Sequence, residues 1–255
     1  MNKIAQFIFF DILKNKIIIF YTLLLFIISW SVLGLDSNNT KTTLSLLNIV
    51  LLVVPLVSII FSTIYVYNSN QFIELLLSQP VARLKVWSNL FLGLSSALVL
   101  AFVIGCGVPI LLYSSLEIGF SLIIVGVMLS IIFCSLAMLS AIITRDRAKG
   151  IGISIFIWMF FGIIYDGILL VFSFQFADYP IEGIMATLTA INPIGLSRIF
   201  VLLQLNIAAM LGHSGAIFKQ VFGSGGGLIT SLVILLIWTI FPFVVSLIKF
   251  NKKDL

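Results

Sequence analysis

Charged side chains are scarce in this chain: Asp, Glu, Lys and Arg make up 9% of its 255 residues, whereas 61% of the residues are apolar. An ordinary soluble domain contains about 25% charged residues and could not bury so much apolar surface. The composition therefore excludes a soluble fold and indicates a protein that uses the lipid bilayer as its solvent.

Residues suited to redox, metal or nucleotide chemistry are also few. The two cysteines, Cys106 and Cys134, lie inside apolar runs without CxxC spacing, which is typical of packing residues. The chain has one histidine, His213, and no Gly-Lys pair, which a nucleotide-binding P-loop requires. We therefore expect no metal site, no cofactor and no catalytic centre on this chain.

The chain has six long apolar runs instead. About 20 apolar residues in a helix cross the roughly 30 Å hydrocarbon core of a bilayer. The runs cover residues 17–35, 44–67, 89–113, 119–143, 151–174 and 228–248. They predict an all-α membrane protein with six transmembrane helices in one transmembrane domain, 1–255, which leaves too little chain for a soluble catalytic domain.

Basic residues near the ends of the runs predict the orientation, because Lys and Arg are retained on the cytoplasmic side. If the N-terminus is inside, only Lys41, Arg198 and Lys219 of the 14 basic residues fall outside. We expect both termini in the cytoplasm. The net charge of +5 then reflects topology, and no basic patch with exposed aromatic residues indicates nucleic-acid binding.

Two segments outside the runs are amphipathic. Residues 1–16 place an apolar side opposite Lys3, Asp11 and Lys14, which predicts an interfacial helix on the cytoplasmic membrane surface. Residues 70–83 predict a helix over 70–80, a break at Pro80 and a new helix start. That short helix suits either contact with a soluble partner or simple anchoring of the third span.

The sequence Glu-Leu-Leu-Leu-Ser-Gln-Pro-Val-Ala-Arg at 74–83, leading through Leu90-Phe91-Leu92-Gly93 into a span, resembles the coupling-helix segment of ABC exporter permeases of the second type (ABC-2). The resemblance implies a permease of a bacterial inner membrane that forms a homodimer and pairs with a cytoplasmic ABC ATPase subunit, which binds the ATP. The coupling residues that it implies are Phe72, Glu74, Leu75, Leu76, Gln79, Pro80 and Arg83.

A narrower resemblance is to the permeases of the nitrous oxide reductase maturation transporter. It rests on Tyr165-Asp166, on Asn192-Pro193 followed by Arg198, and on Met210-Leu-Gly-His-Ser-Gly-Ala216. The resemblance implies a role in assembling the copper centre of the reductase, with a periplasmic accessory protein docked near Asn192, Pro193, Arg198 and His213. The alternative is a general ABC-2 exporter of a lipid, a drug or a peptide.

Asp166 is a functional candidate without any resemblance, because a carboxylate within an apolar span costs a few kcal/mol. We expect no basic residue deep in any span, so Asp166, with Tyr165 beside it, either belongs to a transport pathway or state switch or pins one helix to another. An intramembrane enzyme using Asp166 is a remote alternative, since no second acid lies deep in a span.

The segment 174–227 is the longest stretch between spans, and its length favours a docking platform. A seventh crossing at 195–211 would move the basic C-terminal tail outside, so we predict outer re-entrant or interfacial helices broken at Asn192-Pro193. The glycine run at 223–227 predicts a flexible hinge. Small residues at Gly93, Gly105 and Gly126 predict close packing of the third span on the fourth.

Overall fold

The computed structural model describes residues 3–35, 39–114, 116–176, 182–204 and 224–252, and within these ranges its regular structure is helical. The helices are α1 (Lys3–Leu13), α2 (Lys16–Leu35), α3 (Asn39–Asn68), α4 (Asn70–Leu77), α5 (Arg83–Phe102), α6 (Val108–Tyr113), α7 (Leu116–Ile143), α8 (Arg147–Met159), α9 (Tyr165–Gln175), α10 (Glu182–Ile191), α11 (Pro193–Gln204) and α12 (Ser224–Lys252). The π-helical turns Val103–Gly107 and Phe160–Ile164 join α5 to α6 and α8 to α9.

Six helical segments are long and apolar enough to cross a membrane: α2, α3, α5–α6, α7, α8–α9 and α12, hereafter the first to sixth spans. This result confirms the all-α, six-span fold. Consecutive spans alternate in direction, so residues 14–16, 68–85, 143–149 and 249–252 lie at one end of the bundle. We name it the basic end, because it carries most of the described Lys and Arg residues.

The fourth span, α7, forms the centre of the bundle, since 67% of its most apolar 18-residue stretch is buried. It packs against α3, α5, α8, α11 and α12. Gly126 allows the ring of Phe102 from the third span to lie directly against the α7 backbone, where any Cβ would overlap the ring. The predicted packing of the third span on the fourth therefore occurs at this glycine.

The other small residues of the third span contact different partners. A Cβ at Gly93 would lie 2.8 Å from Cβ of Ile8 in α1, and a Cβ at Gly105 would lie 2.8 Å from Cβ of Leu25 in α2. The prediction that these two glycines face the fourth span was wrong. Gly93 receives α1 and Gly105 receives α2 instead. Ile8 and Ile12, on the apolar side of α1, are buried, and α1 packs against α5.

The chain breaks at Asn192-Pro193 as the sequence predicts, and α10 and α11 meet there with a bend of 112°. Ten of the 12 residues of α11 are buried, and the helix packs against α3, α7 and α12. The pair is therefore inserted into the bundle, and α11 does not lie on its surface. Residues 205–211 of the predicted outer segment lie outside the described residues.

The sixth span begins at Ser224, so Gly225 to Gly227 form its first turn. The prediction of a flexible hinge over these glycines was wrong. The apolar run that starts at Leu228 forms a long helix, and the glycines extend its N-terminal end. The backbone N–H groups of a first turn have no intrahelical acceptor in any helix, so glycine loses no hydrogen bond there. Ser231 Oγ donates a hydrogen bond to Gly227 O at 2.7 Å.

The contact between Gly126 and Phe102 yields a test of the packing. We expect Gly126→Ala to lower the free energy of unfolding by about 1–3 kcal/mol, because Phe102 is fully buried and its ring cannot turn away freely. The measurement is thermal unfolding of the purified protein in detergent. Gly152→Ala is the matched control, since nothing lies within 4 Å of a Cβ at that position. Equal stability of the two variants would contradict the expectation.

Candidate functional site

The fifth span, α8–α9, differs from the fourth in how it is held. Only 6% of its most apolar 18-residue stretch is buried, whereas 67% of the corresponding stretch of the fourth span is buried. Side-chain hydrogen bonds attach it to the bundle instead. Near its start, Ser154 Oγ lies 2.7 Å from Thr63 Oγ1 of α3 and 2.7 Å from Ser140 Oγ of α7, so one hydroxyl joins three helices.

One turn further along, Trp158 attaches the fifth span to the second. Its Nε1–H donates to Leu52 O at 3.1 Å. Pro55 lies inside α3 and lacks the N–H that would bond Leu51 O, the carbonyl next to Leu52 O. The indole therefore bonds α3 in the turn that precedes its proline.

The break between α10 and α11 is held by the side chain of Asn192, which is 1% exposed. Asn192 Oδ1 accepts a hydrogen bond from Ile194 N–H at 3.0 Å, and Pro193 occupies the first position of α11. Asparagine before a helix and proline at its first residue are the preferred start of a helix. Asn192 Nδ2 donates to Phe161 O at 3.0 Å, in the π-helical turn of the fifth span.

Asp166 follows that π-helical turn and bonds both the break and α11. Its Oδ2 accepts from Arg198 Nη1 at 2.9 Å, and its Oδ1 accepts from Asn192 Nδ2 at 3.3 Å. The neighbouring Tyr165 donates its O–H to Leu188 O at 2.6 Å. The start of α9 is thus bonded to α10 through Leu188, to the break through Asn192, and to α11 through Arg198.

The polar cluster, defined as Tyr165, Asp166, Asn192 and Arg198, lies well inside the bundle. Asp166 precedes the end of α9 at Gln175 by nine residues, which is about 13–14 Å along a helix. The ion pair nevertheless stays accessible, because the side chains of Arg198 and Asp166 are 39% and 35% exposed. The cluster therefore contains an ion pair far from the ends of the spans, and another polar group could still reach it and replace one of its hydrogen bonds.

Sequence reasoning assigned these residues to two sites, with Tyr165 and Asp166 in a pathway or switch and Asn192, Pro193 and Arg198 in partner docking. The structure brings the two groups together. The sequence predicts no basic residue deep in any span. Arg198 lies outside the six spans, on α11, and nevertheless reaches Asp166 because that helix enters the bundle. The signal was present, since an arginine in an apolar stretch is as costly as an aspartate and each stabilises the other. His213 lies outside the described residues.

The predicted coupling residues lie at the basic end, on α4 and the turn after it. Glu74, Leu75, Gln79, Pro80 and Arg83 are exposed, whereas Phe72 and Leu76 are half-buried. The Phe72 ring lies 5.7 Å from the ring of Phe7 in α1, measured between centroids. The coupling residues and the polar cluster are therefore separate sites.

Within the described ranges, no three His, Cys, Asp or Glu side chains lie close enough together to hold a metal ion. The Asp166 carboxylate is engaged by nitrogen donors of Arg198 and Asn192. Donors of this kind orient a carboxylate and stabilise its charge. The arrangement is suited to holding α9 against α11. Its carboxylate could also exchange one hydrogen-bond partner for another.

A double-mutant cycle tests whether the ion pair acts as a unit. We expect Asp166→Asn and Arg198→Gln each to lower the free energy of unfolding by about 1 kcal/mol, below the roughly 3–5 kcal/mol of a fully buried pair, because each side chain is partly exposed. The double variant should recover more than half of the combined loss in thermal unfolding. Strict additivity would show that the two side chains act independently.

A sequence model described as ABC-2 family transporter protein matches residues 6–255, which is nearly the whole chain. No curated protein matches the chain. The family match agrees with the six spans and with the short helix between the second and third of them. The chain therefore belongs to the ABC-2 family of transporter proteins, as the multi-pass, non-catalytic membrane permease that pairs with an ATPase subunit.

Proposed function

We propose that the basic end faces the cytoplasm of a bacterium and that the ATPase subunit docks on α4 and the turn following it. The observation that carries this proposal is the exposure of Leu75, at 64%, on a helix of eight residues. Ile73, on the other side of α4, is 4% exposed and anchors the helix to the bundle. An apolar side chain presented in this way is suited to a pocket on a protein partner.

The charge of the basic end supports the cytoplasmic orientation. Lys14, Arg83, Arg145 and Lys249 all lie there, whereas Lys41 and Arg198 lie outside it. Positive residues near span ends are retained on the cytoplasmic side. Both described ends of the chain, α1 and the end of α12, then lie at the cytoplasmic face.

A second copy of the chain completes the transmembrane unit in this proposal. The fifth span exposes apolar side chains along its length, among them Ile163 at 55% and Val171 at 65%. Gly167 lies on this exposed apolar face of α9, and nothing lies within 4 Å of the position that a Cβ would occupy there. A glycine on such a face permits close approach of another helix.

The polar cluster is the proposed state switch of the transporter. Asp166 joins the weakly buried fifth span to the inserted helices through hydrogen bonds that a modest displacement would break. Bonds between charged and polar groups have alternative partners, whereas interdigitated side chains do not. ATP-driven movement of the spans would therefore act on α10 and α11 through the Arg198–Asp166 pair.

The process that we propose for the transporter is assembly of the copper centre of nitrous oxide reductase, with an accessory protein docked on the periplasmic side. The support is the sequence resemblance over Tyr165-Asp166, Asn192-Pro193 and Arg198. Because Asn192 and Pro193 are buried, they would shape the docking platform from beneath, and exposed residues of α10 such as Ile184 would supply its surface. Export of a lipid, drug or peptide is the alternative, and membership of the ABC-2 family is equally compatible with it.

Recovery of partner proteins tests the docking proposal. We expect an affinity-tagged chain, solubilised in mild detergent, to bring an ABC ATPase with it, and Leu75→Glu to reduce that recovery at least about tenfold, as for an interface anchor. Ile184→Glu is the matched control, because Ile184 is 55% exposed at the other end of the bundle. Recovery of no ATPase with the unmodified chain would contradict the proposal.

Copper loading tests the process. In a bacterium that makes nitrous oxide reductase, deletion of this chain should leave the periplasmic reductase without most of its copper, measured by metal analysis of the purified enzyme. Reintroducing the unmodified chain should restore the copper, and Asp166→Asn should restore less of it. A fully loaded reductase in the deletion strain would leave general export as the function.

A further inference from the structure

We propose that Tyr67 is a positioning residue that transmits movement of α4 to the fifth span through contact with Gly150. The inference rests on the proposed function, because it assumes that an ATPase moves α4. It adds the route by which that movement reaches the polar cluster.

Tyr67 lies in the last turn of α3, directly before α4. A single residue, Ser69, separates the two helices, and its N–H donates to Tyr65 O at 2.9 Å. Ile73 N–H of α4 in turn donates to Ser69 O at 2.8 Å. The hydrogen bonding is thus nearly continuous across the junction, so a displacement of α4 also displaces the end of α3.

The Tyr67 side chain spans the gap between that junction and the start of the fifth span. Its Oη lies 2.6 Å from Thr144 Oγ1 and donates to Thr144 O at 3.1 Å, at the end of α7. Its ring covers Gly150 in the first turns of α8, where a Cβ would lie 2.6 Å from Cζ of the ring. Only glycine permits the tyrosine to lie this close to the helix backbone.

The start of α8 is a capped helix end, which can pass a push from Tyr67 along the span. Asp146 caps the helix, since its Oδ1 accepts from Ala148 N–H at 2.8 Å and from Lys149 N–H at 3.4 Å. From Gly150 the same span continues through Ser154 and Trp158 to Asp166. Because so little of the span is buried, few apolar contacts oppose its tilting when its first turn is pushed.

A cavity beside Tyr67 gives α4 room to move. Its volume is about 280 Å³, and its lining includes Asn70, Ile73 and Glu74 of α4. Trp87 and Phe250 line it as well, and their rings are stacked with centroids 4.3 Å apart. Ile73 anchors α4 at the margin of this cavity, and the contacts of the α3–α4 junction with Thr144 and Gly150 lead from there to the fifth span.

The experiment measures movement at the far end of the fifth span. Phe174, which is 78% exposed in α9, is replaced by cysteine and spin-labelled, and the label-to-label distance in the dimer is measured with and without trapped ATP. The sample is the full chain with the ATPase that co-purifies with it. We expect a nucleotide-dependent shift in the otherwise unmodified chain.

Tyr67→Ala and Gly150→Ala should reduce that shift at least twofold, while the nucleotide-free distance and the ATPase rate stay within about twofold of the reference. Tyr67→Phe, which keeps the ring over Gly150, should restore most of the shift, and Gly152→Ala should leave it unchanged because that position is open. A full shift in Tyr67→Ala or Gly150→Ala would overturn the inference. The inference would also be overturned if both variants failed to assemble, or if both changed the label-to-label distance measured without nucleotide. Either result would show that the contact is needed only for packing.

Failure of the underlying function has a different signature. If no ATPase co-purifies with the unmodified chain, the docking proposal fails before Tyr67 is varied. If the ATPase binds and the unmodified chain shows no nucleotide-dependent shift, both the switch and its transmission through Tyr67 are contradicted.

Discussion

The side-chain amide of Asn192 bonds three parts of the structure at once. Its oxygen caps α11, and its nitrogen donates both to the π-helical turn of the fifth span at Phe161 and to Asp166. In a buried, weakly polar setting each of these groups would be costly to leave without a partner. The chain reversal between α10 and α11, the π-helical turn and the placement of Asp166 therefore share Asn192 as a common hydrogen-bond partner, and the Arg198–Asp166 pair adds to it.

Two kinds of attachment divide the bundle. The central fourth span is fixed by close packing on glycine, as at Gly126, and the third span receives α1 at Gly93 in the same way. The fifth span is held chiefly by Ser154, Trp158 and the polar cluster. Lipid is as apolar as a leucine side chain, so no hydrophobic force returns a displaced span to the bundle. Packed spans form a frame, and the span attached by hydrogen bonds is the one able to change position.

Sequence reasoning recovers whatever depends on local chemistry. The apolar runs predict the six spans because a helix must match the thickness of the bilayer, and Asn192-Pro193 predicts a helix start because its two residues suit those positions. Partners distant in sequence are not recovered. Asp166 and Arg198 are 32 residues apart and meet only because the chain reverses at Asn192. The glycines at 93 and 105 likewise predict close packing without identifying the helix that approaches.

The π-helical turn of the fifth span determines which side of that span carries Asp166. A π-helical turn adds one residue to the helix, which rotates everything beyond it by about 100° relative to an uninterrupted α-helix. In an uninterrupted helix Asp166 would lie about 120° around the axis from Ser154, whereas the extra residue brings the two within about 20°. Ser154 and Trp158, before the turn, bond the bundle at α3, and Tyr165 and Asp166, after it, bond α10 and α11. The irregular turn therefore keeps the polar attachments of the fifth span on one side, from the basic end to the inserted helices.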